Sequence, residues 1–363
     1  YKINGSINDK STNRKMVLFN SKIINELNGV NFENILFEIE NSKIQGNAFL
    51  FLNKKFNSKL NLENFDLNLF QLSSQDSKID GILDLNIVFN DFYQVKNVES
   101  KISIQNNRFG SNDFFSVFGK IYYEKSKILL KDSFVFNLGQ GSFSLVGDYN
   151  IGKEHLNLEM KLNNPELESF SHLFNISFLP KSKINGTIYL SGLIDNPSLR
   201  GNLNFNNIKS NNYSLDNLSS TFSFNSVNNS KDGSLFLNGK NIEFEDINYD
   251  NLEMNFYFLE DTIYIAKANL SKDNENTIFS GEIINFQNIN IDQFRSNING
   301  EKIHIVEPLK ISYYNNKFQL EPSKFIINNG NIEVSANFNF NKIFKGNLNV
   351  KNFEINVINS FLK

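Results

Sequence analysis

The chain has no cysteine, no tryptophan, and only three histidines and five prolines in 363 residues. Without cysteine it has neither disulfides nor thiolate chemistry, and that absence selects no redox compartment. No run of about 18 apolar residues occurs, so no helix of this sequence spans a membrane. Net charge is small, with 36 basic residues against 39 acidic ones for a formal charge of -3. No basic cluster is interleaved with aromatics, which argues against a nucleic-acid partner. The sequence opens at Tyr1-Lys2-Ile3-Asn4-Gly5 with neither Met nor a signal-peptide core, and reads as an excised middle or a processed fragment.

Catalytic patterns are missing as well. His155, His172 and His304 are scattered, with no His-x-x-x-His pair to suggest a metal. Asp273-Asn274-Glu275-Asn276 lacks the alternating ligands of a calcium loop and reads as a hairpin tip. Gly139-Gln140-Gly141 has no third glycine and no following helix, so it is a turn and not a phosphate cradle. No Gly-x-Ser-x-Gly and no paired carboxylates stand out. The expectation is a protein that is not an enzyme and uses no metal or cofactor.

What is present is alternation. In Ser182 to Phe205, Ile184, Gly186, Ile188, Leu190, Gly192 and Ile194 share one face, while Lys183, Asn185, Thr187, Tyr189 and Ser191 take the other. After a turn placed at Asn196-Pro197, Leu199, Gly201, Leu203 and Phe205 alternate with Arg200, Asn202 and Asn204. Period 2 marks strands with one wet and one dry face. The pattern recurs at Phe134 to Leu138, Phe143 to Gly147, Leu156 to Leu162, Phe222 with Phe224, Leu252 to Phe258 and Ile332 to Phe340. Leu60 and Leu62 slip by one residue at Asn64 before Phe65, Leu67 and Leu69 resume, which predicts a bulge or turn at Asn64. The many Asn, Lys, Ile and Phe residues are what AT-rich coding yields, so the 37 phenylalanines count only through their positions.

Helical signals are few. Asn164-Pro165-Glu166 has the form of an N-cap with proline at the first helical position, followed by Leu167, Phe170 and Phe174. Asn20 to Leu27, with Ile23, Ile24 and Leu27, is a second short candidate. Two pieces repeat without a fixed period. Ser-Lys-Ile-x-Gly opens strands at Ser42, Ser77 and Ser182, and Asn64-Phe65-Asp66-Leu67-Asn68 is echoed from Asn288 and from Asn352. Irregular spacing argues against a parallel β-helix. No linker divides the chain, so residues 1–363 read as one extended region.

Roughly 25 to 30 strands of typical length fit, and at about 4.8 Å each a single sheet would run on the order of 120 Å. Helices are too scarce to cover its dry side, and breaks every 100 residues or so, as in a series of sandwiches, are not seen. The predicted fold is therefore all-β: a long, curved, mostly antiparallel sheet folded into an elongated hydrophobic groove, with a few short helices. The predicted lining is Phe143, Leu145, Leu156, Leu158, Ile188, Leu190, Leu203, Phe205, Phe222, Phe224, Phe338 and Phe340. The competing reading of each is an ordinary core contact between closely packed walls.

The block from Lys183-Ile184-Asn185-Gly186-Thr187-Ile188-Tyr189-Leu190-Ser191-Gly192 through Asn196-Pro197-Ser198-Leu199-Arg200-Gly201-Asn202-Leu203 resembles the TamB family of the AsmA-like superfamily. Gly141 to Gly147, Leu156 to Met160 and Phe65 to Gly81 share that style. The resemblance implies a periplasmic protein anchored at the inner membrane, with a β-groove that carries phospholipid acyl chains toward the outer membrane. It also implies a role beside an outer-membrane β-barrel, or in assembly of outer-membrane proteins. Neither an anchor nor an assembly domain is recognisable in these residues. The alternatives are a scaffold or adhesin with a sealed core, and a carbohydrate-active β-solenoid enzyme, which would need clustered acidic residues on one strand face.

Overall fold

The computed structural model describes residues 2–9, 14–39, 42–66, 77–89, 95–109, 113–168, 180–210, 213–226, 232–244, 247–298, 300–314, 317–339 and 343–352. The chain divides into two compact units, Tyr1–Ile194 and Asp195–Lys363. The first holds β1 (Lys2–Asp9), β2 (Arg14–Glu26), β3 (Gly29–Ile39), β4 (Ser42–Phe51), β5 (Lys55–Asp66) and β6 (Ser77–Phe89). It continues with β7 (Val95–Phe109), β8 (Asp113–Glu124), β9 (Lys127–Leu138), β10 (Gly141–Asn150), β11 (His155–Glu166) and β12 (Lys181–Leu193). The second holds β13 (Asn196–Lys209), β14 (Tyr213–Phe224), β15 (Gly233–Phe244), β16 (Ile247–Leu259), β17 (Thr262–Lys272) and β18 (Glu275–Ile284). It ends with β19 (Asn288–Ile298), β20 (Glu301–Ile305), β21 (Leu309–Tyr314), β22 (Lys317–Ile327), β23 (Gly330–Asn339) and β24 (Ile343–Lys351).

The all-β expectation holds, with 24 strands among the described residues rather than 25 to 30. The count is lower because most strands run 10 to 15 residues, about twice the usual length. Among the described residues the pairings are antiparallel, and in the first unit each strand pairs there only with its sequence neighbours. In the second unit β20 and β21 share one lane, since both pair β19 on one side and β22 on the other. Pro308, between them, has no N–H to give the ladder, so the lane breaks there.

Three local expectations change. Asn20 to Glu26 is the end of β2 and not a helix. A register shift between Asn20 and Lys22 leaves Ser21 fully buried, its hydroxyl donating to the Glu33 carbonyl at 3.3 Å. That bulge breaks the alternation and so imitates helical spacing. Pro165 lies inside β11, which runs on to Glu166; only Leu167 and Glu168 are helical before the described residues stop, and Phe170, Phe174 and His172 lie outside them. Asn196 and Pro197 open β13, and the turn is Ile194-Asp195.

The bulge expected at Asn64 is present. Asn64 has φ 47°, and the β5–β6 register shifts between Leu62 and Phe65. Its backbone N–H donates to Asp80 Oδ1 at 2.7 Å. Asn34 (φ 51°) donates to Asn47 Oδ1 at 3.0 Å, and Asn164 (φ 51°) to Asn185 Oδ1 at 3.0 Å. Asn tolerates this left-handed conformation better than other residues with side chains. A carboxylate or amide on the following strand then satisfies the N–H that the bulge takes out of the ladder. At Asn64 the two repeated sequence pieces are thus the two halves of one clasp, and Asn164 with Asn185 makes the same contact. Asn64 and Asn164 lie two residues before the end of their strands, and the residue before glycine in Ser-Lys-Ile-x-Gly lies near the start of the next.

Candidate functional site: the apolar sheet faces

Directly opposed residues of an antiparallel pair point to the same side, so the registers define rows that cross each sheet. In the first unit one row runs Gly5, Phe19, Phe37, Ile44, Leu62, Gly81, Ile104, Val117, Phe136, Phe143, Leu162 and Gly186, from β1 to β12 without a polar residue. In the second unit a row runs Leu199, Phe224, Gly233, Phe258, Ile263, Ile283, Ile289, Ile311, Leu320, Ala336 and Gly346, crossing every lane from β13 to β24.

Close approach explains two of the glycines on these faces. Phe224 and Phe258 flank Gly233 and approach to 5.3 Å between centroids, and a Cβ on Gly233 would collide with the Phe224 ring. Gly147, at φ 140°, brings its Cα against the Asn157 carbonyl, where a Cβ would also collide. Such glycines and the bulges are the devices that bend a sheet.

The predicted lining residues fall on these faces. Phe143, Leu145, Leu156, Leu158, Ile188 and Leu190 share the apolar face of the first unit. Leu203, Phe205, Phe222, Phe224 and Phe338 share that of the second. Phe340 lies outside the described residues. Leu156 and Phe222 are buried, and the other nine are half-buried.

Few side chains are sealed from water. Fourteen hydrophobic residues are buried among those described, and the largest side chains below 2% exposure are Pro165, Ser21 and Ser323. A sandwich core would hold Leu and Phe at that depth. The chain exposes 23281 Å², whereas two compact domains of half its mass would expose about 18,000 Å².

The opposite faces are wet and mix both signs of charge. Lys22 meets Glu33 at 3.1 Å, Lys43 meets Glu38 at 3.4 Å and Lys267 meets Glu253 at 2.6 Å. Lys120 pairs with Asp132 at 3.2 Å, and that hydrogen bond, with Tyr122 beside it, holds the ammonium pKa above its ordinary value. Asn202 and Asn204 are exposed on this side. The second unit's polar face also carries a depression of about 530 Å³ edged by Asn204, Asn217, Asn238, Asn251 and Asn269, which alternation alone does not reveal. His155 and His304 are exposed, and among the described residues no three acidic or histidine side chains cluster to hold a metal. Each unit thus sets an apolar row on one face of its sheet and a wet face of mixed charge on the other.

No protein-family model, no curated protein and no solved structure matches this chain.

Proposed function

We propose that the apolar faces seat the acyl chains of phospholipids, and that the chain is the conducting segment of a protein carrying phospholipid across the periplasm between the inner and outer membranes, in support of outer-membrane biogenesis. The observation that carries this reading is the pair of unbroken apolar rows, most of whose members are half-buried, with Val117 and Leu162 the buried exceptions. A tail with about 15 methylenes would gain on the order of 12 kcal/mol if fully taken out of water, at about 0.8 kcal/mol per CH₂. The gain is nondirectional and recurs at every strand, so no single position holds the tail in a deep well. The rows carry no carboxylate or ammonium to trap a headgroup, so lipid slides with its tails on the face and its headgroup toward water. Movement follows whatever gradient the ends experience. On this reading the protein works in the periplasm, held at the inner membrane, with an outer-membrane β-barrel as its partner on the far side.

The test is lipid content. Protein purified from cells should carry extractable phospholipid by mass spectrometry. Photo-crosslinkers at Leu158 and Leu190 should capture it, and probes at Asn202 and Asn204 should not. Lipid-free protein, or equal labelling of both faces, overturns the proposal.

A further inference from the structure

Leu27, Leu52, Ile151, Leu193 and Ile194 stand in water along one rim of the first unit. Successive strands alternate in direction, so the turns β2–β3, β4–β5, β8–β9 and β10–β11, and the turn that leaves β12, all fall on that rim. Leu27 at the first of these tips is 98% exposed, Leu52 at the second 75% and Leu193 at the last 57%. Hairpin tips ordinarily carry Gly, Asn, Asp or Ser, yet leucine precedes the asparagine in both Leu27-Asn28 and Leu52-Asn53. One such residue is ordinary; a file of them on linked turns marks a contact surface.

The turns are linked by main-chain bonds from tip to tip. The Leu52 N–H donates to the Asn28 carbonyl at 2.9 Å, Phe89 to Lys54 at 2.9 Å, Ile151 to Ser126 at 2.9 Å and Ile194 to Glu154 at 2.8 Å. The exposed side chains are therefore held on a continuous shelf and not on loose loops. Between β4 and β9 the same rim carries Lys54, Lys55, Lys96, Lys125 and Lys127, opposed at those turns among the described residues only by Glu124.

We infer that this rim seats on the surface of a bilayer bearing anionic headgroups. Neighbouring tips lie two strands apart, about 10 Å, and polar turn residues such as Asn28, Asn53 and Ser126 separate their apolar side chains. A protein partner needs a contiguous patch of about 800 Å², which a file of single side chains does not make. The interfacial layer of a bilayer closes around each side chain separately. Lysines beside them meet anionic headgroups while their stems lie along the apolar boundary. The inference concerns the rim and does not rest on what the faces carry.

The chain has no cysteine, so an environment-sensitive dye can be attached at one introduced position at a time. The full chain is labelled through Leu27→Cys, Leu52→Cys or, at the β9–β10 turn on the opposite rim, Gln140→Cys. Each is mixed with vesicles of phosphatidylethanolamine and phosphatidylglycerol. Blue-shifted emission is expected at the two leucine positions and not at Gln140. Leu27→Ser combined with Leu52→Ser should weaken vesicle binding about a hundredfold, roughly tenfold for each leucine withdrawn from an apolar site. Both side chains face water, so this protein should keep its circular dichroism spectrum and its phospholipid content per mole. Binding of the parent chain to phosphatidylcholine vesicles should be weaker by about tenfold or more. No shift at either leucine, an equal shift at Gln140, undiminished binding of the double-serine protein, or equal binding to both kinds of vesicle overturns the inference. A shift that appears without vesicles and grows with protein concentration assigns the rim to a second copy and also overturns it. Lipid-free protein that still binds vesicles through these tips supports the inference while removing the proposed cargo.

Discussion

Leu190→Asp separates an open apolar face from a sealed core. Leu190 is half-buried on β12, directly opposite Leu158 on β11. Fully burying a leucine side chain stabilises by about 1.5 to 3 kcal/mol, so a half-buried one contributes about 1 to 1.5. Loss of the cross-strand contact adds about 0.2 to 1 kcal/mol. If the face is open to water the aspartate stays hydrated, and the whole change costs about 1 to 2.5 kcal/mol. If the position is sealed, the unpaired charge raises the cost to about 3 to 5 kcal/mol or more. Leu162→Asp, two rows away on β11 at 8% exposure, supplies the internal comparison and is expected in that higher range. Urea unfolding with unchanged m-value reads both, and phospholipid per mole of protein reads function. The expected outcome is that Leu190→Asp folds, loses little stability and purifies with much less lipid. Equal destabilisation by the two substitutions refutes the open face; a folded Leu190→Asp protein with undiminished lipid refutes the conduit.

Removing the clasp acceptor by Asp80→Ala should cost about 1 to 2 kcal/mol and speed exchange of the Asn64 amide, while Asp80→Asn restores both, because Asn185 does the same work in the β11–β12 clasp. Asn64→Gly should be nearly neutral and Asn64→Val should cost about 1 to 2 kcal/mol, read by thermal melting, since only the β-branched side chain resists positive φ. Gly147→Leu should destabilise by more than about 2 kcal/mol in chemical denaturation, whereas Gly152→Ala, which meets no atom closer than 3.7 Å, should change stability by less than about 0.5 kcal/mol. The exposed Lys120–Asp132 pair has a raised lysine pKa, so its contribution is complete below the ordinary lysine value of 10.5 and is lost only as pH rises past it. Lys120→Met should therefore leave the pH dependence of stability unchanged at neutrality, as a melting series would show.

Alternation made most strands legible, and the Asn64 slip foretold its bulge. What misled was the same bulge elsewhere. At Ser21 and at Asn164-Pro165 one extra residue puts apolar side chains at spacings that a helix also produces, and asparagine before proline is what a helix cap looks like. At Asn164 the distinguishing signal was in the sequence, where Met160-Lys161-Leu162-Asn163-Asn164 is followed by Ser182-Lys183-Ile184-Asn185-Gly186. The second piece was visible as a repeat, but only the register shows that the two face each other. The rows were not legible, because which residue opposes which depends on turn lengths and bulges that composition does not encode.

Pairing between sequence neighbours alone, as among the described strands of the first unit, has a consequence for how that sheet comes into being. Each new strand there needs only the hairpin before it, so the distance searched along the chain stays short however many strands are added. The edge can advance in step with synthesis or export, with no late closing contact to wait for. A pair of strands inserted or deleted anywhere in a unit shifts the apolar rows by about 10 Å without touching the rest. The span of such a protein can therefore change one hairpin at a time, as a tape measure lengthens.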